Sequence, residues 1–370
     1  MSRGGRGLRR AAAVVWAMAA ALAERWPARE FSAAGHTLTL HDGSVGDGVG
    51  LGTWLGALEL CAVLSGELRH ALEVALGRDG ALLELGAGTG LVGLFAARHL
   101  GAPNVVLTDY VGDDTAGGGV MEMLTANAEL TRGMMGPRTG EPSAAAEDGG
   151  DEGGGRAADV DVCIEVATLD WRRHEGVDLD TLKVMLEFSG DDDAAAALEN
   201  EMAQGSSDSG DSSCDGSARE GSVLEWRALA PSRRFEVVLA AECIYEWPGA
   251  VCLPAVIAGR LAPGGAAVVL NAVRQIAMFE TFLAGLRSEG LRVAAAARNS
   301  TQFAKSGVAG AHAATARSSG SGFLLVLCDR ADAPFAGWQD DQRGPVPDAG
   351  LLWITDETDL TALIEGTQAR

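Results

Sequence analysis

The sequence predicts an α/β protein built on a doubly wound, mostly parallel sheet with an antiparallel last strand and helices on both faces. Three observations predict it. Short apolar runs that read as strands alternate with longer runs of helical pattern. The alternation ends in two strands, Leu291 to Ala297 and Gly322 to Cys328, with no helical pattern between them. Acids, glycines and aromatics fall at the ends of successive strands, at Glu84 and Gly86, Asp109, Asp170 with Trp171, and Ala241 with Glu242. In open sheets of this class, ligands bind at the carboxyl ends of the strands.

The chain is organised around Ala81 to Leu94, ALLELGAGTGLVGL. A buried strand runs into Gly86-Ala87-Gly88-Thr89-Gly90, a turn almost without side chains, and then into an apolar helix. Such a turn lets backbone approach a ligand and aims free helix N–H groups at it. The spacing discriminates among nucleotide sites. A dinucleotide fingerprint needs a third glycine where Leu91 stands, and a phosphate-binding loop needs a lysine that is absent.

Before this turn, Thr37 to Leu40 is a strand closed by Asp42-Gly43, Gly46 to Gly52 is a glycine-rich link, and Thr53 caps a helix carrying Trp54. After it come a strand from Asn104 into Thr108-Asp109, a helix over Val120 to Leu130 that contains Asn127, and a strand over Val160 to Val166 leading to Leu169-Asp170-Trp171. An acid about 20 residues beyond the glycines, at a strand tip, is placed to take the hydroxyls of a ribose; Asp109 meets that description. Thr181 to Phe188 reads as a short helix. Phe235 to Ala241 is the near-continuous apolar run of a central strand. A helix over Leu253 to Leu261, closed by Pro263-Gly264-Gly265, a strand over Ala266 to Leu270 and a helix over Arg274 to Leu286 complete the pattern.

Composition bounds the rest. The expected organisation is an N-terminal helix or targeting segment over 1–28, one domain over 29–330, and an acidic tail over 331–370 whose Leu351 to Ile354 patch docks back. Disordered insertions are expected at about 132–159 and 189–222; the second holds nine acids against one Arg. The Ala11 to Ala23 run is too short to span a bilayer. A net charge of -22 argues against nucleic acid as the main partner and is compatible with a basic protein substrate. Six cysteines without a C-x-x-C pair read as reduced thiols of a cytoplasmic protein with no metal site. A nuclear or organellar location is the alternative, and a monomer is expected.

The acid two residues ahead of G-x-G-x-G resembles the first motif of class I, seven-β-strand S-adenosylmethionine methyltransferases. With Gly52-Thr53-Trp54, ELGAGTGLVGL, LTD, the Asn127 helix, LDW, VVLAAECIY and the Arg274 to Phe282 helix, the chain is similar to the methyltransferase-like protein-lysine N-methyltransferases of that class, from about Thr37 to Cys328. The resemblance implies a Rossmann-like seven-stranded sheet and S-adenosylmethionine as cofactor. It implies that Gly86, Ala87 and Gly88 back the methionine part, that Glu84 helps hold its ammonium, and that Asp109 takes the ribose. Trp171 would frame the adenine, with Ala241 and Trp54 completing the pocket. Glu242 and Tyr245 would be catalytic and shape the entry of a lysine. The family commonly has Asp where this chain has Glu242, and it has no counterpart of the acidic insertions.

Cys243-Ile244 replaces the two prolines of the element that serves planar amides and adenine amines, which disfavours that class. Lysine instead must lose a proton; at pH 7 that opposes a pKa near 10.4 and costs roughly 4.6 kcal/mol. The alternatives are a small-molecule or histidine methyltransferase on the same fold and a non-catalytic adaptor that binds S-adenosylmethionine. A nicotinamide-linked oxidoreductase lacks its fingerprint glycine.

Overall fold

A computed structural model describes residues 24–43, 49–111, 115–135, 162–205, 226–298, 322–338, 351–355, 358–359 and 361–363. The expected run Ala11 to Ala23 and most of the two expected insertions lie outside the described residues.

The chain opens with a hairpin of β1 (Ala28–Ala33) and β2 (His36–His41), which forms its own two-stranded sheet. Next come α1 (Leu55–Ser65), α2 (Arg69–Leu76), β3 (Ala81–Leu85), α3 (Leu91–His99), β4 (Asn104–Asp109) and α4 (Thr115–Met135). They are followed by β5 (Cys163–Thr168), α5 (Leu179–Ser189), α6 (Asp192–Gly205), β6 (Phe235–Ala241), α7 (Trp247–Arg260) and β7 (Leu261–Ala272). Then come α8 (Ile276–Ser288), β8 (Leu291–Arg298), β9 (Phe323–Arg330) and β10 (Leu352–Trp353).

The main sheet has the order β10-β8-β9-β7-β6-β3-β4-β5. Strands β7, β6, β3, β4 and β5 run parallel to their neighbours in that row, while β9 is antiparallel to both β7 and β8. This is the Rossmann-like, doubly wound architecture expected from the sequence. The period of two along β6 divides the core: Val237 and Leu239 face the layer that holds α1, α3 and α4, whereas Val238 and Ala240 face the layer of α5, α7 and α8. Both faces are therefore covered, which is why β6 reads as one apolar run.

Several expectations are corrected. The sheet has eight strands rather than seven, because Leu352–Trp353 pairs with β8 at the edge, with Leu351 fully buried beneath it. Residues 192–205, expected within a disordered insertion, form α6; Ala195 and Leu198 are buried among the side chains that include α5 Leu182 and Leu186. Ala194 and Met202 pack beside them, so an apolar stripe at helical spacing seats an acidic helix on its neighbour. The helix α4 also continues through Arg132 to Met135, into the first expected insertion. Thr53 does not cap α1: Trp54 holds the cap position without a side-chain bond, and the Thr53 hydroxyl bonds that of Thr89 at 2.9 Å. Pro263-Gly264-Gly265 does not end a helix but bulges inside β7, where the register with β6 shifts.

Candidate active site

The glycine turn after β3 takes positive φ at every second residue, +60° at Gly86, +52° at Gly88 and +80° at Gly90. At Gly86 the conformation and the space both demand glycine: a Cβ would stand 2.8 Å from Cys243 Sγ and 3.1 Å from the Trp171 ring. At Gly93, in the first turn of α3, a Cβ would meet Glu84 Oε2 at 2.7 Å. Its absence lets the buried Glu84 carboxyl reach under the helix and accept the Gly93 N–H at 2.8 Å. The acid ahead of the glycines thus holds the positive end of α3. Burial nevertheless raises it to about 8, against the lowering effect of the backbone N–H groups it accepts from.

Asp109, at the tip of β4, accepts the Gly88 N–H at 2.7 Å on Oδ2 and the Tyr110 N–H at 2.8 Å on Oδ1. Burial pushes its carboxyl up too, while those two bonds pull it down. A carboxylate offers about four lone-pair sites, so Asp109 retains acceptor capacity toward the cleft. Beyond β5, Asp170 caps a short 3₁₀ turn, Trp171–Arg173, by accepting the Arg172 N–H at 3.1 Å; the turn delivers Trp171 against Gly86.

The tip of β6 is strained. Glu242 has φ of +56°, a left-handed conformation that costs a residue with a Cβ roughly 1 kcal/mol or more. What over-determines it is a set of backbone bonds. The Glu242 N–H donates to the Leu270 carbonyl at 2.9 Å; Oε1 accepts from Gly56 and Oε2 from Ala272, each at 3.2 Å. Asn271 holds the next peptide, accepting the Ile244 N–H at 3.0 Å and donating to its carbonyl at 3.2 Å. Burial raises the Glu242 carboxyl, countered by the Ala272 bond, the Arg274 charge and the Gly56 bond. The Arg274 guanidinium lies 5.1 Å from the centre of the Trp54 ring. The phenol of Tyr245 is pushed well above its ordinary value, chiefly by burial.

Trp54, Glu84, Gly86, Ala87, Gly88, Asp109, Trp171, Ala241, Glu242 and Tyr245 all border one cleft of about 650 Å³ at the carboxyl ends of β3 to β6. That volume falls within the usual range for a small-molecule site. Sequence reasoning passed over Gly50, Tyr110, Arg172 and Glu246, which border it as well. It also passed over the buried network behind the glycines. Asn127 donates to the carbonyls of His41 and Thr89, at 3.0 and 2.9 Å, and accepts the His41 N–H; Asp42 accepts the Thr53 N–H at 2.7 Å. The hairpin, the link before α1 and the glycine turn are thereby tied together. Buried polar residues in apolar runs were the available signal.

Residues 32–136 match the model of a protein family described as lysine methyltransferase. Over these residues the chain matches a methyltransferase family. The matched segment carries most of the hairpin, α1, the glycine turn and Asp109, and ends before β5 and β6. No curated protein sequence matches the chain. Among solved structures, it is similar to the cyclase SpnF at 13% identity, covering 72% of this chain and 79% of that one with a TM-score of 0.37. The glycopeptide N-methyltransferase MtfA complexed with sinefungin gives 14% identity, 71% and 93% coverage, and a TM-score of 0.34. A TehB-like SAM-dependent methyltransferase from Corynebacterium glutamicum gives 11% identity, 71% and 86% coverage, and a TM-score of 0.32. Likeness at this level leaves the chemistry to be argued from the cleft.

Proposed function

We propose that this protein transfers a methyl group from S-adenosylmethionine to the side-chain amine of a lysine in a protein substrate. The observation that carries the reading is the meeting of four strand ends in one cleft, with a glycine floor, buried acids at Glu84 and Glu242 and the half-buried acid Asp109. S-adenosylmethionine, when bound, supplies an electrophilic methyl group on a cationic sulfur.

The donor set suits that cofactor. Asp109 has acceptor sites for a ribose diol, and Glu84 supplies negative charge to an ammonium, which would in turn bring its own carboxyl down from about 8. The backbone of Gly86, Ala87 and Gly88 gives close approach to the chain of the amino acid, and Trp171, Ala241 and Trp54 offer flat or small surfaces for the adenine.

Glu242 acts on the incoming amine. Each of its oxygens holds one backbone N–H, so the carboxylate is fixed in orientation before substrate arrives and keeps a lone pair on each oxygen. The lysine must lose a proton at a cost of roughly 4.6 kcal/mol. The apolar walls from Trp54, Tyr245 and Pro248 disfavour the ammonium, as does the Arg274 charge. Tyr245 lines the channel through which the side chain enters.

The test is incubation of the protein with radiolabelled S-adenosylmethionine and cell lysate, with and without prior protease, followed by mass spectrometry of the labelled band. Label on a protein lysine supports the reading. Label that survives protease in small molecules, or that sits on histidine, replaces the acceptor; binding without transfer replaces the activity with an adaptor role.

A further inference from the structure

A second cleft, of about 1210 Å³, lies on the other side of the 3₁₀ turn Trp171–Arg173 and shares only Tyr110, Leu169 and Asp170 with the first. In a chain of net charge -22, its wall nevertheless carries Arg173, Arg234, Arg260, Arg330 and His174. Among the described residues, two of these cations have no counter-charge. Arg260, the last residue of α7, is only 2% exposed. Its Nη1 donates to the carbonyls of Ala230 and Pro231, at 2.5 and 3.1 Å, and its buried Nε has no acceptor among the described residues. Arg234 donates to the same Pro231 oxygen, at 2.8 Å. Two guanidiniums therefore converge on one carbonyl oxygen, and among the described residues neither has a carboxylate partner.

For the buried Arg260 this arrangement is costly. A buried charge needs a partner of opposite sign, and carbonyl dipoles, including the negative end of α7, offset only part of a full charge. The imidazole of His174 adds a third group. It lies over α7 where a Cβ of Gly259 would stand, and burial, then Arg260 and Arg234, hold it below its ordinary value. Acids also border the cleft, but Asp170 is taken by Arg172 and Arg173, and Arg330 is paired with Asp332. Glu175 and Glu289 also line the cleft, and Glu175 acts on His174 with a charge opposite to those of Arg260 and Arg234.

We infer that this second cleft binds a phosphate-bearing ligand, gripped between the guanidiniums of Arg234 and Arg260 with His174 beside them. A tetrahedral dianion suits donors that arrive from separate elements, here the end of α7 and the turn before β6, better than a planar monoanion that one guanidinium satisfies. The site stands apart from the methyl-transfer reading, because none of its three gripping groups borders the first cleft.

The test uses the full-length protein and calorimetric titration with inorganic phosphate and with a phosphoserine peptide, at matched ionic strength. Saturable binding of either is expected, weakened about tenfold or more in Arg234→Ala and in Arg260→Met, as for loss of a charge-assisted bond. Inorganic phosphate bound as tightly as the peptide points to a free phosphorylated metabolite; a peptide preference of about tenfold points to a phosphorylated protein. Arg260→Met should fold with an unchanged or higher melting temperature in phosphate-free buffer, since replacing an unpaired buried ion by an apolar side chain removes its cost. Arg234 is exposed, so its variant guards against misfolding as the cause. Absence of saturable binding by the wild type, or equal binding by the variants, overturns the site.

Discussion

The carboxylate of Glu242 accepts the backbone N–H of Gly56 at 3.2 Å, across 186 positions of sequence. The strained tip of β6 and the first turn of α1 are therefore one unit, and the acid read from sequence as a reacting group is also a structural clamp.

That double role makes Glu242→Gln informative. A glutamine has one acceptor oxygen where two backbone N–H groups now need one each, so one of Gly56 or Ala272 is left facing an amide NH₂. The variant should lose about 1–3 kcal/mol of stability. If Glu242 also orients the amine, single-turnover methyl transfer at saturating cofactor should drop by about 10²-fold, with cofactor affinity changed less than about threefold, roughly half a decade. Unchanged turnover in folded protein would remove the residue from the chemistry and leave the clamp. Tyr245→Phe should act in the same direction, less severely.

Asp109→Ala should weaken S-adenosylmethionine by roughly 100-fold, about 3 kcal/mol at 1.4 per decade, from lost bonds to the ribose and a freed Gly88 N–H that no longer shapes the turn. Calorimetry on folded variant protein gives the answer, and an unaltered dissociation constant would take Asp109 out of the site.

Glu84 makes stability fall with rising pH. Its folded carboxyl lies near 8, against an ordinary value of 4.5. Below 4.5 both states hold the proton and nothing is contributed. Between 4.5 and 8 the unfolded chain releases it while the folded chain keeps it, so unfolding free energy declines by up to about 1.4 kcal/mol per pH unit. Above 8 the penalty is complete. Urea unfolding from pH 5.5 to 8.5 should show a flatter profile for Glu84→Gln, whose oxygen can still accept from Gly93. Parallel profiles would show that Glu84 is ionised throughout.

Leu198→Ala should cost about 2 kcal/mol, the low end of the range for a buried leucine. An exposed leucine in a solvated loop would cost nothing measurable, and denaturant unfolding distinguishes the two. The deletion of Gly140 to Gly155 should leave thermal unfolding cooperative, since its composition cannot bury a core.

By itself, the sequence determined the fold class and the ring of strand tips. Period-two and helical apolar patterns, the switch to a final antiparallel pair, and Glu84, Gly86, Asp109, Trp171 and Glu242 at strand ends are local properties, readable within a few residues. What only tertiary structure decided lies between segments distant in the chain. No local pattern indicates that Glu242 reaches Gly56, that Asn127 joins His41 to Thr89, or that Arg234 and Arg260 share the carbonyl of Pro231. Nor could composition show that α6 is seated by Ala195 and Leu198 with Ala194 and Met202 beside them. The physical reason is that backbone preference acts over neighbouring residues, whereas hydrogen bonds and charges are settled by whatever group the packed fold brings within about 3 Å.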